Sequence, residues 1–277
     1  YFDAVIAIEE IAKYCGITGR IVVEGNMGAI GAIMKYGTDE QKIMAARYVL
    51  AGDKPAICIT EPEAGSAATE IKTTAEKTRN GYILNGSKHW ITGGGVSKLH
   101  LIFARLIDNG EDKGISGFIA LLNEDAGLVI GQREHALGLR GIPETEIHFR
   151  NLVLPFTRLL APPRGVSKGF AALMDAYNAQ RVGAGTVALG IAQGAYELAI
   201  EFVKMRHQFG RPIAEFQGLQ WILAESRIAL DAARLMIWQA AMSAESSATG
   251  FPEPLLAAEA KVIASETAIK VLSLIHI

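Results

Sequence analysis

The chain has 277 residues, half of them hydrophobic, and a formal net charge of −2 from 27 basic and 29 acidic side chains. That suffices for a buried core with two or three subdomains. No Lys/Arg block exceeds two neighbours, so a nucleic-acid footprint is missing and the scattered charge argues against a membrane-surface role.

Apolar runs are broken by charge or glycine before the roughly 20 residues of a bilayer span, and no transmembrane segment is expected. Cys15 and Cys58 are too few and too isolated for a disulfide framework or a Cys-based metal site. Two buried, reduced thiols and a reducing, cytoplasmic setting are the expectation. The sequence opens and closes inside apolar-periodic segments, so both ends read as cut, and 272–277 depart from the preceding helical pattern.

Residues 1–50 have helical periodicity, with Val5, Ile6, Ile8 and Ile11 in one stripe, a break at Gly16, and a second run through Ile30, Ile33 and Met34. Gly37 suits a C-terminal cap, and Thr38 with Gln41 three residues on reads as a capping box for the next helix. After Gly52 the period falls to two. Strands are expected at 56–60, 73–77, 82–87, 99–106, 117–122, 128–133 and 146–149, with Asn80-Gly81 as a tight hairpin turn whose two residues need positive φ. An antiparallel barrel or sandwich is the economical arrangement. From Gly169 onward three long helices are expected, 170–209, 213–246 and 254 onward, broken by Gly210-Arg211-Pro212. The order helix, sheet, helix gives an α+β chain divided at 1–52, 53–160 and 161–277.

Two hydroxyl-rich, strand-ending segments carry the chemistry: Ile57 to Ser66, reading ICITEPEAGS, and Trp90-Ile91-Thr92. Such turns bring N–H groups and hydroxyls to one edge of a flat polar ligand. A third segment reads Arg206-His207-Gln208-Phe209-Gly210, continued by Phe216-Gln217; Arg211 there reads as a solvated helix end. Gly183, Gly185 and Gly190 follow a helix rather than a strand, so they do not form a dinucleotide loop, and close helix packing explains them better. The six histidines form no HExxH-like set and no metal is expected.

TEPxAGS with a following WIT tripeptide, and the RxxFG segment, closely resemble the acyl-CoA dehydrogenase family, and the resemblance covers nearly the whole chain. It implies that family's fold: a helical N-terminal domain, a middle antiparallel β domain and a C-terminal helical bundle, here truncated at both ends. It also implies FAD as cofactor, acyl-CoA as substrate and a homotetramer. By resemblance the flavin is held by Ile57, Cys58, Ile59, Thr60, Gly65, Ser66, Trp90, Ile91 and Thr92, with Thr60 and Thr92 at the ring. Arg206, Phe209 and Gln217 would meet FAD held mainly by a neighbouring subunit, and Ser66 would also meet the acyl-CoA.

A dehydrogenase must remove an α-proton with a carboxylate. One of the family's two locations for that base corresponds to Asn178-Ala179-Gln180-Arg181, where Gln180 cannot serve. The other lies beyond the chain's end. LAGDKPAICI, GLRGIPET and AYNAQRVGAG resemble a desulfinase subgroup that keeps FAD but releases sulfite. This implies hydrolytic cleavage of 3-sulfinopropanoyl-CoA to propanoyl-CoA and sulfite. Arg20, in Thr18-Gly19-Arg20, matches a subgroup Arg and would grip the sulfinate, with Gln180 positioning substrate or water. Asn178 and Arg181 would stand near the CoA or acyl part. An isolated Arg between apolar residues is as often a salt-bridged structural residue. Two alternatives stay open: a dehydrogenase for a short or branched acyl-CoA, which would pass electrons to an electron-transfer flavoprotein, and a catalytically silent acyl-CoA-binding flavoprotein.

Overall fold

In the computed structural model, residues 1–161, 165 and 169–274 are described. The chain forms two compact units, Tyr1–Val23 with Asn178–Ile277, and Glu24–Tyr177. The helices are α1 (Phe2–Tyr14), α2 (Gly16–Asn26), α3 (Ala29–Tyr36), α4 (Asp39–Leu50), α5 (Gly169–Met205), α6 (Gln217–Ser246) and α7 (Pro254–Leu274). The first fifty residues are thus all helical, with a further break at Gly28, whose φ of 64° suits glycine. The expected capping box forms: Thr38 Oγ1 accepts from Gln41 N–H at 3.3 Å, and the Thr38 N–H donates to Gln41 Oε1 at 3.0 Å. Gln41 also donates to the carbonyls of Thr157 and Leu159, which ties α4 to the edge of the sheet.

The strands are β1 (Ala56–Cys58), β2 (Thr74–Lys77), β3 (Tyr82–Thr92), β4 (Leu99–Asp108), β5 (Glu111–Leu121), β6 (Leu128–Arg133), β7 (Glu144–Leu154) and β8 (Leu159–Leu160), followed by the two-residue β9 (His207–Gln208) and β10 (Arg211–Pro212). The first eight form one sheet in the order β6-β7-β3-β2-β4-β5-β8, with β1 also on β4. The sheet is not wholly antiparallel, because β1 and β2 both run parallel to β4. Its core face gathers Cys58, Leu84, Ile102, Phe118, Ile147 and Leu152.

Asn80-Gly81 is not a two-residue turn. Lys77 pairs with Tyr82, so the loop has four residues, closed by Thr78, whose hydroxyl and N–H both donate to Gly81 O while the hydroxyl accepts from Asn80 N–H. Only Gly81 has positive φ, at 149°. The tight turn is Asn109-Gly110, φ 53° and 79°, between paired Asp108 and Glu111.

In the other unit α5 ends four residues before the expected Phe209, and a hairpin replaces the helix end. The expected non-helical tail is helical through Leu274, and 275–277 lie outside the described residues. Cβ atoms built on Gly190 and Gly194 would meet Glu9 O at 2.5 Å and Lys13 O at 2.3 Å, so these glycines let α5 lie directly on α1. Gly185 likewise faces Ile237 and Lys261, at 3.0 and 3.2 Å. Arg234 of α6 locks the bundle by donating to Glu9, Gln193 and Asp231 at 2.6–2.8 Å. One helix among the described residues, Phe170–Met205, is long and apolar enough to cross a membrane by length and composition alone. Residues 182–196 carry no charge, and glycine does not interrupt apolarity; half of the most apolar window is buried inside the protein, as in a core helix.

Candidate functional site

The site in the sheet-containing unit begins with a shared edge. β1 pairs with His100–Ile102 of β4 and β2 with Arg105–Ile107 of the same strand, so the chain between them, 59–73, must leave the sheet and return. A small bridge between Glu61 and Ala64, with N–H···O distances of 3.1 Å each way, shapes the excursion. Its base is stapled by an ion pair: Lys88 Nζ donates to Glu61 Oε1 at 2.8 Å and to Ile59 O at 2.9 Å. Glu61 also accepts from the N–H groups of Lys72 and Thr73, at 2.6 and 3.0 Å. Lys88 is fully buried and Glu61 is 7% exposed. Burial raises the Glu61 carboxyl, but its donors outweigh that and hold it below the ordinary carboxylate range. Burial pulls the Lys88 ammonium below its usual value, against the attraction of Glu61.

The second segment meets the first at a bulge. Between the pairs Lys88↔Ile147 and Ile91↔Thr145, two residues of β3 oppose one of β7. Trp90 takes φ 58° there, half-exposed, and stacks on the His89 ring at 4.9 Å. The His89 N–H donates to Thr60 O at 2.9 Å, so ICITEPEAGS and WIT come together as expected. His89 Nε2 also lies 2.8 Å from Glu134. Thr92 Oγ1 donates to Glu144, 2.8 and 3.0 Å from its two oxygens, and Lys54 Nζ donates to Thr92 O at 3.3 Å.

Cys58 and Ile91 direct their side chains into the core, so only their main chains are available to a ligand. Burial pushes the Cys58 thiol up to about 12. Cys15 is exposed rather than buried, because it caps α1 at the break before α2. Ile57 and Ile59 are half-buried, while Gly65 and Ser66 stand exposed on the outer part of the excursion. Hydroxyls of Thr60, Ser66 and Thr92 and the flat face of Trp90 thus belong to one connected surface element. That donor set fits FAD, whose ring is flat with a polar edge and whose phosphates take N–H and hydroxyl donors.

The helical unit holds the remaining candidates. Asn178 and Gln180 are buried on α5, and Arg181 Nη1 donates to Asn178 Oδ1 at 2.6 Å. Arg20 is half-buried on α2, one residue after Gly19, where an added Cβ would lie 2.9 Å from the Cβ of Ala12. The Arg206 segment is the β9–β10 hairpin, turned by Phe209 and Gly210 at φ 53° and 80°. Arg206, Phe209 and Gln217 are all exposed, Phe209 at 92%. Arg211 is not a solvated helix end: it lies in β10 with its guanidinium 4.4 Å from the Phe216 ring centre.

Residues 56–152 match the acyl-CoA dehydrogenase middle domain, and 167–275 the acyl-CoA dehydrogenase C-terminal domain. The chain belongs to the acyl-CoA dehydrogenase family. FAD is this family's cofactor, and acyl-CoA thioesters suit its fold. The chain is 61% identical over 273 residues to the 3-sulfinopropanoyl-CoA desulfinase of Cupriavidus necator, covering 98% of this chain and 68% of that one. It is 36% identical to the short-chain specific acyl-CoA dehydrogenase of Clostridium acetobutylicum, covering 96% and 69%. Its fold is similar to that of butyryl-CoA dehydrogenase from Megasphaera elsdenii, at TM-score 0.89, 32% identity, and coverage of 98% and 70%. Glu61, Lys88 and Glu144 were not among the residues expected from sequence. The signal available was Lys88 itself, a charge at an inward position of the alternation Tyr82, Leu84, Lys88.

Proposed function

We propose that the chain is an FAD-containing desulfinase that converts 3-sulfinopropanoyl-CoA and water to propanoyl-CoA and sulfite. The observation that carries this is the gap in identity: 58–61% to four relatives named for that activity, against 34–36% to short-chain specific dehydrogenases. The reaction balances without an external oxidant. The carbon–sulfur bond breaks with its electron pair going to carbon, the carbon takes one proton from water, and the sulfur takes up the remaining hydroxide to leave as sulfite.

In this reading Arg20 holds the sulfinate by two parallel N–H donors, a geometry suited to an oxyanion with its charge on two oxygens. Gln180, buried and uncharged, positions substrate or water and removes no α-proton. Asn178 and Arg181, already joined to each other, stand by the CoA or acyl part, and Ser66 meets the thioester chain. FAD, when bound, would supply a planar ring with a polar edge against which the thioester can lie. Ile57 to Thr60, Gly65, Ser66 and Trp90 to Thr92 hold it within one chain. Exposed Arg206, Phe209 and Gln217 reach FAD of a neighbouring copy in a homotetramer. The domains divide at 52/53 and 160/161, the middle one holding flavin and acyl-CoA. Two free cysteines support a cytoplasmic setting.

The shared fold with butyryl-CoA dehydrogenase favours one rival, a dehydrogenase that hands electrons to an electron-transfer flavoprotein. The purified flavin-loaded protein, given 3-sulfinopropanoyl-CoA without an electron acceptor, should release one sulfite per propanoyl-CoA. Absence of sulfite, together with rapid flavin bleaching by butyryl-CoA, would replace this reading with the dehydrogenase.

A further inference from the structure

We propose that His89 is a positioning residue for Trp90: tied to Glu134 and stacked on one face of the indole, it fixes that ring so that its other face meets the flavin. The imidazole and indole planes lie 9° apart with centres separated by 4.9 Å, the offset parallel arrangement that aromatic pairs favour. Trp90 is still 52% exposed, so its ring has one covered face and one open one. A carboxylate only accepts, so the 2.8 Å contact between His89 Nε2 and Glu134 Oε1 is an imidazole N–H donating to Glu134. Both of these side chains are half-buried.

The sheet brings these groups together. β3 and β6 flank β7, and both bulge against the same residue of it. His89 and Trp90 of β3, and Gly131 and Gln132 of β6, each oppose Glu146 alone, between the shared partners Ile147 and Thr145. A bulge re-aims the side chains beside it. Glu134, the residue after β6, thereby reaches across β7 to His89, although strands two apart in a sheet are about 9–10 Å from each other. Both ends are anchored through the main chain: His89 N–H donates to Thr60 O at 2.9 Å, and Glu134 N–H to Glu144 O at 2.7 Å. Trp90 takes φ 58°, which a bulky residue keeps only where its surroundings over-determine it, and the imidazole supplies that hold at the ring. An indole held flat against a flavin gains dispersion contacts and quenches the flavin's excited state, and a ring free to turn does both less well. This role rests on the part of the functional reading that seats the flavin at Trp90, and not on sulfite release.

The test is flavin fluorescence of the loaded protein, compared at equal flavin content with W90F, which lacks the quenching indole. E134A and H89A should each raise the emission toward that of W90F, and neither should raise it further in a W90F background. Wild-type emission in E134A or H89A overturns the proposal, as does an equal rise with and without the indole, or W90F emission no higher than wild type. If H89A loses its flavin, H89F, which keeps a flat ring beside the indole but cannot bond Glu134, carries the test: raised emission supports the proposal and wild-type emission overturns it. Sulfite release by the wild type is scored separately. A failed desulfinase reading with raised E134A emission leaves the His89 assignment standing, and sulfite release with unchanged E134A emission removes the His89 assignment alone.

Discussion

Lys88 and Glu61 share one buried ion pair, and Glu61 also satisfies two main-chain N–H groups at the far end of the excursion. Removing one member leaves an uncompensated buried charge, which costs about 3–5 kcal/mol. Lys88→Met should therefore lower the unfolding free energy by that order and loosen flavin binding, as read by denaturant unfolding and by flavin loss on gel filtration. Glu61→Gln should be milder for the amides, because its carbonyl oxygen still accepts a bond. Arg20 is tested by activity. Arg20→Lys keeps the charge but loses the two-pronged geometry, so sulfite release should fall markedly at near-normal flavin content. Arg20→Ala should lose more, about 2–5 kcal/mol in apparent binding of the sulfinate. Wild-type sulfite release by Arg20→Ala, or simple unfolding, would return Arg20 to a structural role.

Helix contact in the bundle is controlled by where glycine is absolutely needed. At Gly190 even one methyl meets Glu9 O at 2.5 Å, whereas at Gly25 nothing lies within 4 Å. Gly190→Ala should accordingly destabilise by roughly 1–3 kcal/mol through overpacking, and Gly25→Ala should stabilise by about 0.5–1 kcal/mol through helix propensity. Opposite signs in urea denaturation of the two variants are the expected outcome, and like signs would contradict the packing account. The capping box and the sheet's alternation were legible because they are local patterns set by the residues that form them. The bulge at Trp90 was not, since it depends on β7 supplying one residue against two.

Among the described residues His100 sets one part of the pH response. His100 is fully buried in β4, and burial pulls its pKa down to about 4. The unfolded chain takes up this proton near its ordinary value of about 6.5, and the native chain does not until about 4. Stability should be full above about pH 6.5 and fall as pH drops toward about 4, and His100→Leu should flatten that part of the profile. A denaturation midpoint unchanged between these pH values in the wild type would show that the imidazole is charged or exposed in the native state. Below that window Glu61, held under the ordinary carboxylate range, contributes stability that is lost as acid protonates it.

The order of helices and strands, the capping signals and the ICITEPEAGS, WIT and RxxFG segments were written in the chain, because each depends on the chemistry of neighbours a few residues apart. The four-residue turn at Asn80, the parallel seat of β1 and β2 on one edge of β4, and the meeting of Thr60 with His89 were decided only on folding. So were the two carboxylates behind the site, Glu61 under Lys88 and Glu144 behind Thr92. Their partners lie 27 and 52 residues away in sequence. A charge can be buried only where a counter-charge or a donor is waiting, and no local pattern records which distant strand will bring it.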